Sequence, residues 1–163
     1  MDFNRFTEKV QQALQAAQSK AVRYNHQQVD VEHLAAALLE QDGGLATSLL
    51  TKANIPVDLF SRRFDQELDK LPRVTSATGS PDQIYVSGRL NKLVTTAEDE
   101  AKRLKDDFIS VEHLLLALSD DSGPTGRIFK DMGLTRDRLM KALQANAETA
   151  AFFGEACGPD CGG

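Results

Sequence analysis

The sequence has no tryptophan, only five prolines, and two cysteines that both fall in its last few residues. A core built without cysteine cannot depend on a disulfide or a thiolate-bound metal, so the disulfide-scaffold class is excluded. Cys157 and Cys161 lie in the stretch Gly-Glu-Ala-Cys-Gly-Pro-Asp-Cys-Gly-Gly, and their spacing is half of a zinc site with no second Cys or His pair to complete it. The chain also lacks any run of the roughly 18 to 20 apolar residues that span a bilayer, and Met1-Asp2-Phe3-Asn4-Arg5-Phe6 contains no apolar leader core. A cytoplasmic protein with no membrane partner is expected. No cluster of five Lys or Arg appears in a chain of net charge −5, which removes the electrostatic footprint of a nucleic-acid binder. No G-x-x-x-x-G-K-[ST] loop, G-x-S-x-G elbow, H-E-x-x-H helix or EF-hand loop occurs. The residues therefore offer no phosphate cradle and no catalytic set, and neither an enzyme nor a cofactor site is expected.

What remains is an ordinary globular composition, with 41% apolar and 26% charged residues over 163 positions, enough for one cooperative core. Its dominant feature is an internal repeat. Val31-Glu32-His33-Leu34 recurs eighty positions later as Val111-Glu112-His113-Leu114. At that offset Thr7 meets Ser87, Val10 meets Leu90, Leu14 meets Val94, Ala17 meets Ala97, Ala21 meets Ala101, Val29 meets Ile109 and Leu38 meets Leu118. After a one-residue shift Leu49-Leu50 meets Ile128-Phe129, Ile55 meets Leu134 and Phe64 meets Leu143.

Each copy reads as four helices. Val10, Ala13, Leu14, Ala17 and Ala21 form one apolar stripe behind Thr7, a residue type that caps helix N-termini, and the stripe ends near Tyr24-Asn25. A second, almost wholly apolar helix starts after Asp30 and stops at Gly43-Gly44. A third runs from about Leu45 to Ala53, and a fourth from Pro56 to about Lys70 with Leu59, Phe60, Phe64 and Leu68 facing inward. The second copy repeats the scheme, with Ser87 capping a helix to about Lys105, Ser110 capping one to about Leu118, and two more over 126–132 and 135–144. The spacing predicts an all-α domain over 1–144, made of repeat one (1–72), a polar linker (73–81) and repeat two (82–144), followed by a disordered or artificial tail over 145–163. Apolar helices such as the second and sixth need covering on all sides, which predicts that the repeats pack together with pseudo-twofold symmetry.

Five polar residues stand out. His33 and His113 occupy equivalent first-turn sites and are expected to pack and bond locally rather than bind metal, while His26 falls in a polar loop. Glu32 and Glu112 also lie in a first turn, where the helix dipole favours a carboxylate by roughly 0.3 to 1 kcal/mol. With a hydroxyl from Thr7 or Ser87 nearby, each would also make a polar site able to hold a cationic side chain.

Phe6-Thr7-Glu8-Lys9, the two Val-Glu-His-Leu helix starts and Asp107-Phe108-Ile109-Ser110 resemble the Clp repeat domain, the N-terminal module of Clp/heat-shock AAA+ proteins, over residues 1–144. The Leu71-Pro72 ending of repeat one and the long linker are closer to ClpB-type disaggregases. The resemblance implies a substrate-binding module that precedes an AAA+ ring and captures unfolded or aggregated client proteins through an apolar groove, with Thr7, Asp106 and Glu112 at polar positions linked to substrate handling. The groove is expected along the fifth helix and the start of the sixth, at Leu90, Leu93, Val94, Phe108 and Leu114. Similarity to ClpC-type unfoldases implies an alternative, an adaptor or phosphoarginine site at Glu32 and Glu112 with Thr7 and Ser87.

Overall fold

The computed structural model describes residues 3–41, 44–71 and 85–145; the expected linker and almost all of the expected tail lie outside them. After a short 3-10 turn at Phe3–Arg5 come α1 (Glu8–Arg23), β1 (Gln28–Val29), α2 (Val31–Leu39), α3 (Leu45–Lys52) and α4 (Val57–Lys70). The second copy supplies β2 (Tyr85–Val86), α5 (Gly88–Arg103), α6 (Val111–Ser119), α7 (Pro124–Asp131) and a final helix, α8, described from 136 to 145.

The caps read from the sequence set these starts. The Thr7 hydroxyl accepts the Val10 amide at 3.4 Å and the Ser87 hydroxyl accepts the Leu90 amide at 3.0 Å, the same bond in the two copies. Four helices end alike, with left-handed residues at Asn25, Asn54, Lys105 and Gly133. Each is followed by an amide that bonds five residues back, as in His26 N to Ala21 O at 2.9 Å and Asp106 N to Ala101 O at 2.8 Å.

All nine residues of α2 are buried, and so are all of α6 except Glu112. The other helices cover these two: α1 and α4 pack on α2, α5 and α7 pack on α6, and α3 crosses onto α6 while α7 reaches α2 and α4. The copies thus interlock as one all-α unit with pseudo-twofold symmetry. Phe60 and Phe64 on α4 meet Phe129 on α7, with ring centroids 5.1 and 6.4 Å from Phe129, so the largest side chains join the two copies. Backbone pairing obeys the same symmetry. Val29 pairs with Val86 in parallel and Phe6 pairs with Ile109, the equivalent couple; Ser87 N bonds Val29 O at 3.0 Å and Thr7 N bonds Ile109 O at 3.0 Å.

Three expectations are corrected. Leu59 is 45% exposed, because the inward stripe of α4 is Phe60, Phe64 and Leu68 and a residue one place earlier points about 100° away. Pro56 is the N-cap of α4 rather than its first residue, and α7 begins two residues earlier than expected, with Pro124 in its first turn.

Candidate functional site

Both second helices open with a histidine in place of the usual capping-box glutamate. His33 Nδ1 accepts the Asp30 amide at 2.9 Å, and His113 Nδ1 accepts the Ser110 amide at 2.8 Å. A nitrogen that accepts an N–H carries no proton, so Nε2 is the protonated atom in both rings. In repeat one that N–H donates to His26 Nδ1 at 2.8 Å, and in repeat two it donates to Asp106 Oδ2 at 2.8 Å. Burial, reinforced by the neighbouring His26, lowers the His33 pKa to about 4.

The paired glutamates diverge further. Glu32 is 2% exposed and takes a bidentate guanidinium, with Arg89 Nη1 to Oε1 at 3.0 Å and Nη2 to Oε2 at 3.2 Å, while the Thr125 hydroxyl donates to Oε2 at 2.8 Å. Burial raises the Glu32 carboxyl above its ordinary value, and the bonds from Arg89 and Thr125 oppose it. Glu112 is half-buried and accepts the Ser110 hydroxyl at 2.8 Å. No basic side chain among the described residues bonds it. Asp106, Glu112 and His113 bring ligand-type atoms within 4.8 Å of one another, two carboxylates beside a histidine for which the sequence suggested none.

The candidate residues therefore fall into three places. Ser87 and Glu32 are buried in one polar cluster, where the Ser87 hydroxyl donates to Asp30 at 2.8 Å. Leu90, Leu93 and Leu114 are core, because the α5 stripe and the α6 start face each other across the buried interface, so these three support a groove only from beneath. Val94 is also buried, beside Ile109; the Thr7 amide bonds the Ile109 carbonyl at 3.0 Å, and Asp106, Phe108 and Glu112 lie within three residues of Ile109, where the chain turns into α6.

A cleft of about 480 Å³ opens at that point, lined by Arg5, Phe6, Asn91, Val94, Thr95, Glu98 and Ile109. Phe6, Val94 and Ile109 lie buried beneath it, none more than 6% exposed, and the Arg5–Glu98 ion pair, at 3.1 Å, stands at the wall. Phe108, the residue before Ile109 in the chain, is 55% exposed, a large apolar ring open to water. Arg5, Phe6, Asn91 and Glu98 were not legible as lining residues, because the Phe6–Ile109 backbone pair that creates the cleft joins positions about a hundred apart.

Residues 5–132 match the family profile described as the Clp repeat (R) N-terminal domain. The chain is 42% identical over 146 residues to the chaperone protein ClpB of Nitratidesulfovibrio vulgaris, covering 88% of this chain and only 17% of that one. The Hsp104 N-terminal domain of Candida albicans superposes with a TM-score of 0.73 at 25% identity, over 84% of this chain and 87% of that one. The N-domain of ClpV in complex with a VipB peptide shares the fold, with a TM-score of 0.64 at 20% identity over 84% and 83% of the two chains.

Proposed function

The chain belongs to the Clp repeat (R) N-terminal domain family, and on that premise we propose that it is the non-catalytic substrate-binding domain of a ClpB-type AAA+ disaggregase of the cytoplasm. In this reading it captures exposed apolar segments of unfolded or aggregated polypeptide and passes them to the ATPase ring of its parent chain. The observation that carries it is the exposed ring of Phe108, the residue that precedes Ile109 at the cleft. An exposed aromatic ring suits aliphatic or aromatic side chains of a client, and a cleft of this size holds only a few of them. Thr7, Asp106 and Glu112, polar positions within three residues of Phe6, Phe108 or Ile109 in the chain, would contact peptide backbone and flanking charges, and a shallow site of this kind binds weakly and without strict sequence preference. The adaptor or phosphoarginine reading places its sites at Glu32 and Glu112. Arg89 already holds the Glu32 carboxylate, which leaves that reading the half-buried Glu112 alone and favours the client reading of the two.

NMR titration with a reduced, permanently unfolded client protein tests this. Amide shifts are expected at Thr7, Asn91, Thr95 and Phe108, and Phe108→Ser should weaken binding about ten-fold, the loss of one well-placed aromatic contact. Shifts confined to the opposite face, or unchanged affinity in the variant, would rule the cleft out.

A further inference from the structure

The cleft at the Phe6–Ile109 pair is apolar only underneath. Phe6, Val94 and Ile109 are nearly sealed, so the side chains that a client meets inside it are Arg5, Asn91, Thr95 and Glu98. Asn91, Thr95 and Glu98 share one face of α5, at i, i+4 and i+7, and Lys102 continues that face by another turn. Asn91 and Thr95 are neutral. Glu98 carries two cations on a single oxygen, with Arg5 Nη1 at 3.1 Å from Oε1 and Lys102 Nζ at 3.6 Å from the same atom. Two positive charges against one negative leave this wall net positive, and Asp99, Asp106 and Asp107 do not line the cleft. The Ile109 amide donates to the Arg5 carbonyl at 2.7 Å, so the Arg5 backbone lies against the peptide that joins the exposed Phe108 to Ile109.

The Arg5–Glu98 pair is not a structural brace. Both side chains are 36% exposed, and Arg5 reaches Glu98 through one nitrogen, whereas the Arg136–Glu100 pair, two residues along α5, uses two nitrogens and two oxygens. A pair exposed to this degree adds little to stability. The other repeat teaches the same. Arg5 stands opposite Tyr85, Glu98 opposite Gln18 and Lys102 opposite Val22, so the equivalent face has none of the three charges, yet Val86 and Val29 pair there as Phe6 and Ile109 do. The fold closes equally well without them.

We infer that Arg5 sets a charge preference for the site: it takes the carboxylate of an aspartate or glutamate that flanks the client's apolar segment, while a flanking lysine is turned away. A guanidinium suits this role because its planar fork can keep one N–H on Glu98 and offer others to the client. Lys102 is the second cation within reach, and Glu98 keeps Arg5 at the wall when no client is bound. The inference rests on the client reading of the cleft and adds a charge preference to a site that reads no particular sequence.

Three peptides test it. They share one core of leucine, isoleucine and phenylalanine, carry acetyl and amide ends so that side chains supply every charge, and are flanked by aspartate, asparagine or lysine. Each is titrated into the full chain at constant ionic strength, with dissociation constants taken from amide shifts at Asn91, Thr95 and Phe108. The aspartate peptide should bind about ten-fold tighter than the lysine peptide, with the asparagine peptide between them, since one favourable charge contact becomes an unfavourable one. Arg5→Gln should bring all three within about two-fold of one another, and Arg5→Lys should keep only part of the preference, because an ammonium has no fork. Glu98→Gln should widen it about three-fold by removing the competing carboxylate. Added salt should shrink it in the unsubstituted chain. Equal binding of the aspartate and lysine peptides, or a preference that Arg5→Gln leaves intact, overturns the inference and leaves the client reading standing. Binding of none of the three at these amides overturns both.

Discussion

The two helix starts, Asp30-Val31-Glu32-His33 and Ser110-Val111-Glu112-His113, follow the same backbone path and make the same bond from histidine to capping amide, yet their surroundings have opposite character. In repeat one the second histidine nitrogen meets another histidine and the glutamate is sealed under an arginine. In repeat two the same nitrogen meets an exposed aspartate and the glutamate stays half-open. A third pair reverses sign, since buried Lys20 bonds Glu40 at 2.7 Å while its counterpart, buried Glu100, bonds Arg136 through both oxygens, a pairing that lowers the Glu100 pKa. The apolar stripes were preserved because any change in volume disturbs the shared core, whereas polar partners were free to change, singly around His33 and Glu32 and as a whole pair at Lys20–Glu40.

The largest way to separate the repeats is pH. His33 is buried and neutral, and its pKa falls from 6.5 to about 4 on folding, so between those values the unfolded chain binds a proton that the native chain does not. Stability should therefore decline as pH drops from about 6.5 to about 4, by up to about 3 kcal/mol. His33→Gln keeps an acceptor for the Asp30 amide and should flatten that part of a urea-midpoint profile. Next in size is Glu32→Ala, expected to cost about 2 to 3 kcal/mol, at the low end for a buried ion pair because Arg89 can turn into water. Glu112→Ala should cost under about 1 kcal/mol. Equal losses in denaturation curves of the two variants would show that the repeats are energetically alike after all. Asp106→Ala deprives the His113 N–H of its acceptor and should cost about 1 kcal/mol, whereas Asp106→Asn, which still accepts, should restore most of it in thermal melts. The smallest effect is a gain. Lys105 holds the left-handed position that Asn25 fills in repeat one, at φ 61° against 59°, and Lys105→Gly should stabilise by about 1 kcal/mol, seen as a higher unfolding midpoint.

The parts of the molecule that were legible in the sequence are the local ones. Thr7, Asp30, Ser87 and Ser110 announced the four helix starts, and the eighty-residue offset announced the symmetry. Leu59 was misplaced because one residue of phase separates a buried stripe from the surface on a helix as amphipathic as α4. The polar cluster around Glu32 could not be assembled beforehand, because Glu32 meets Arg89 across 57 residues and Thr125 across 93. One signal was present nonetheless: Arg89 and Thr125 are both positions where the copies differ, opposite Lys9 and Ala46, and paired departures from a repeat mark a polar cluster that only one copy has. Among the expected groove residues, Leu90 and Leu93 fall instead on the buried stripe of α5, and only the turn before α6 reveals that Phe108 emerges.

The reciprocal pairing of residue 6 with residue 109 and of residue 86 with residue 29 has a consequence for how such a molecule is assembled. Each half offers one edge to its sibling and borrows one in return. A half severed from the other keeps an edge at Phe6 and a matching one at Val29, and the geometry lets two such halves complete each other as a homodimer. The single chain is in this sense a dimer of like units with its two subunits fused, which leaves each subunit free to alter its own polar chemistry while the shared handshake holds them in register.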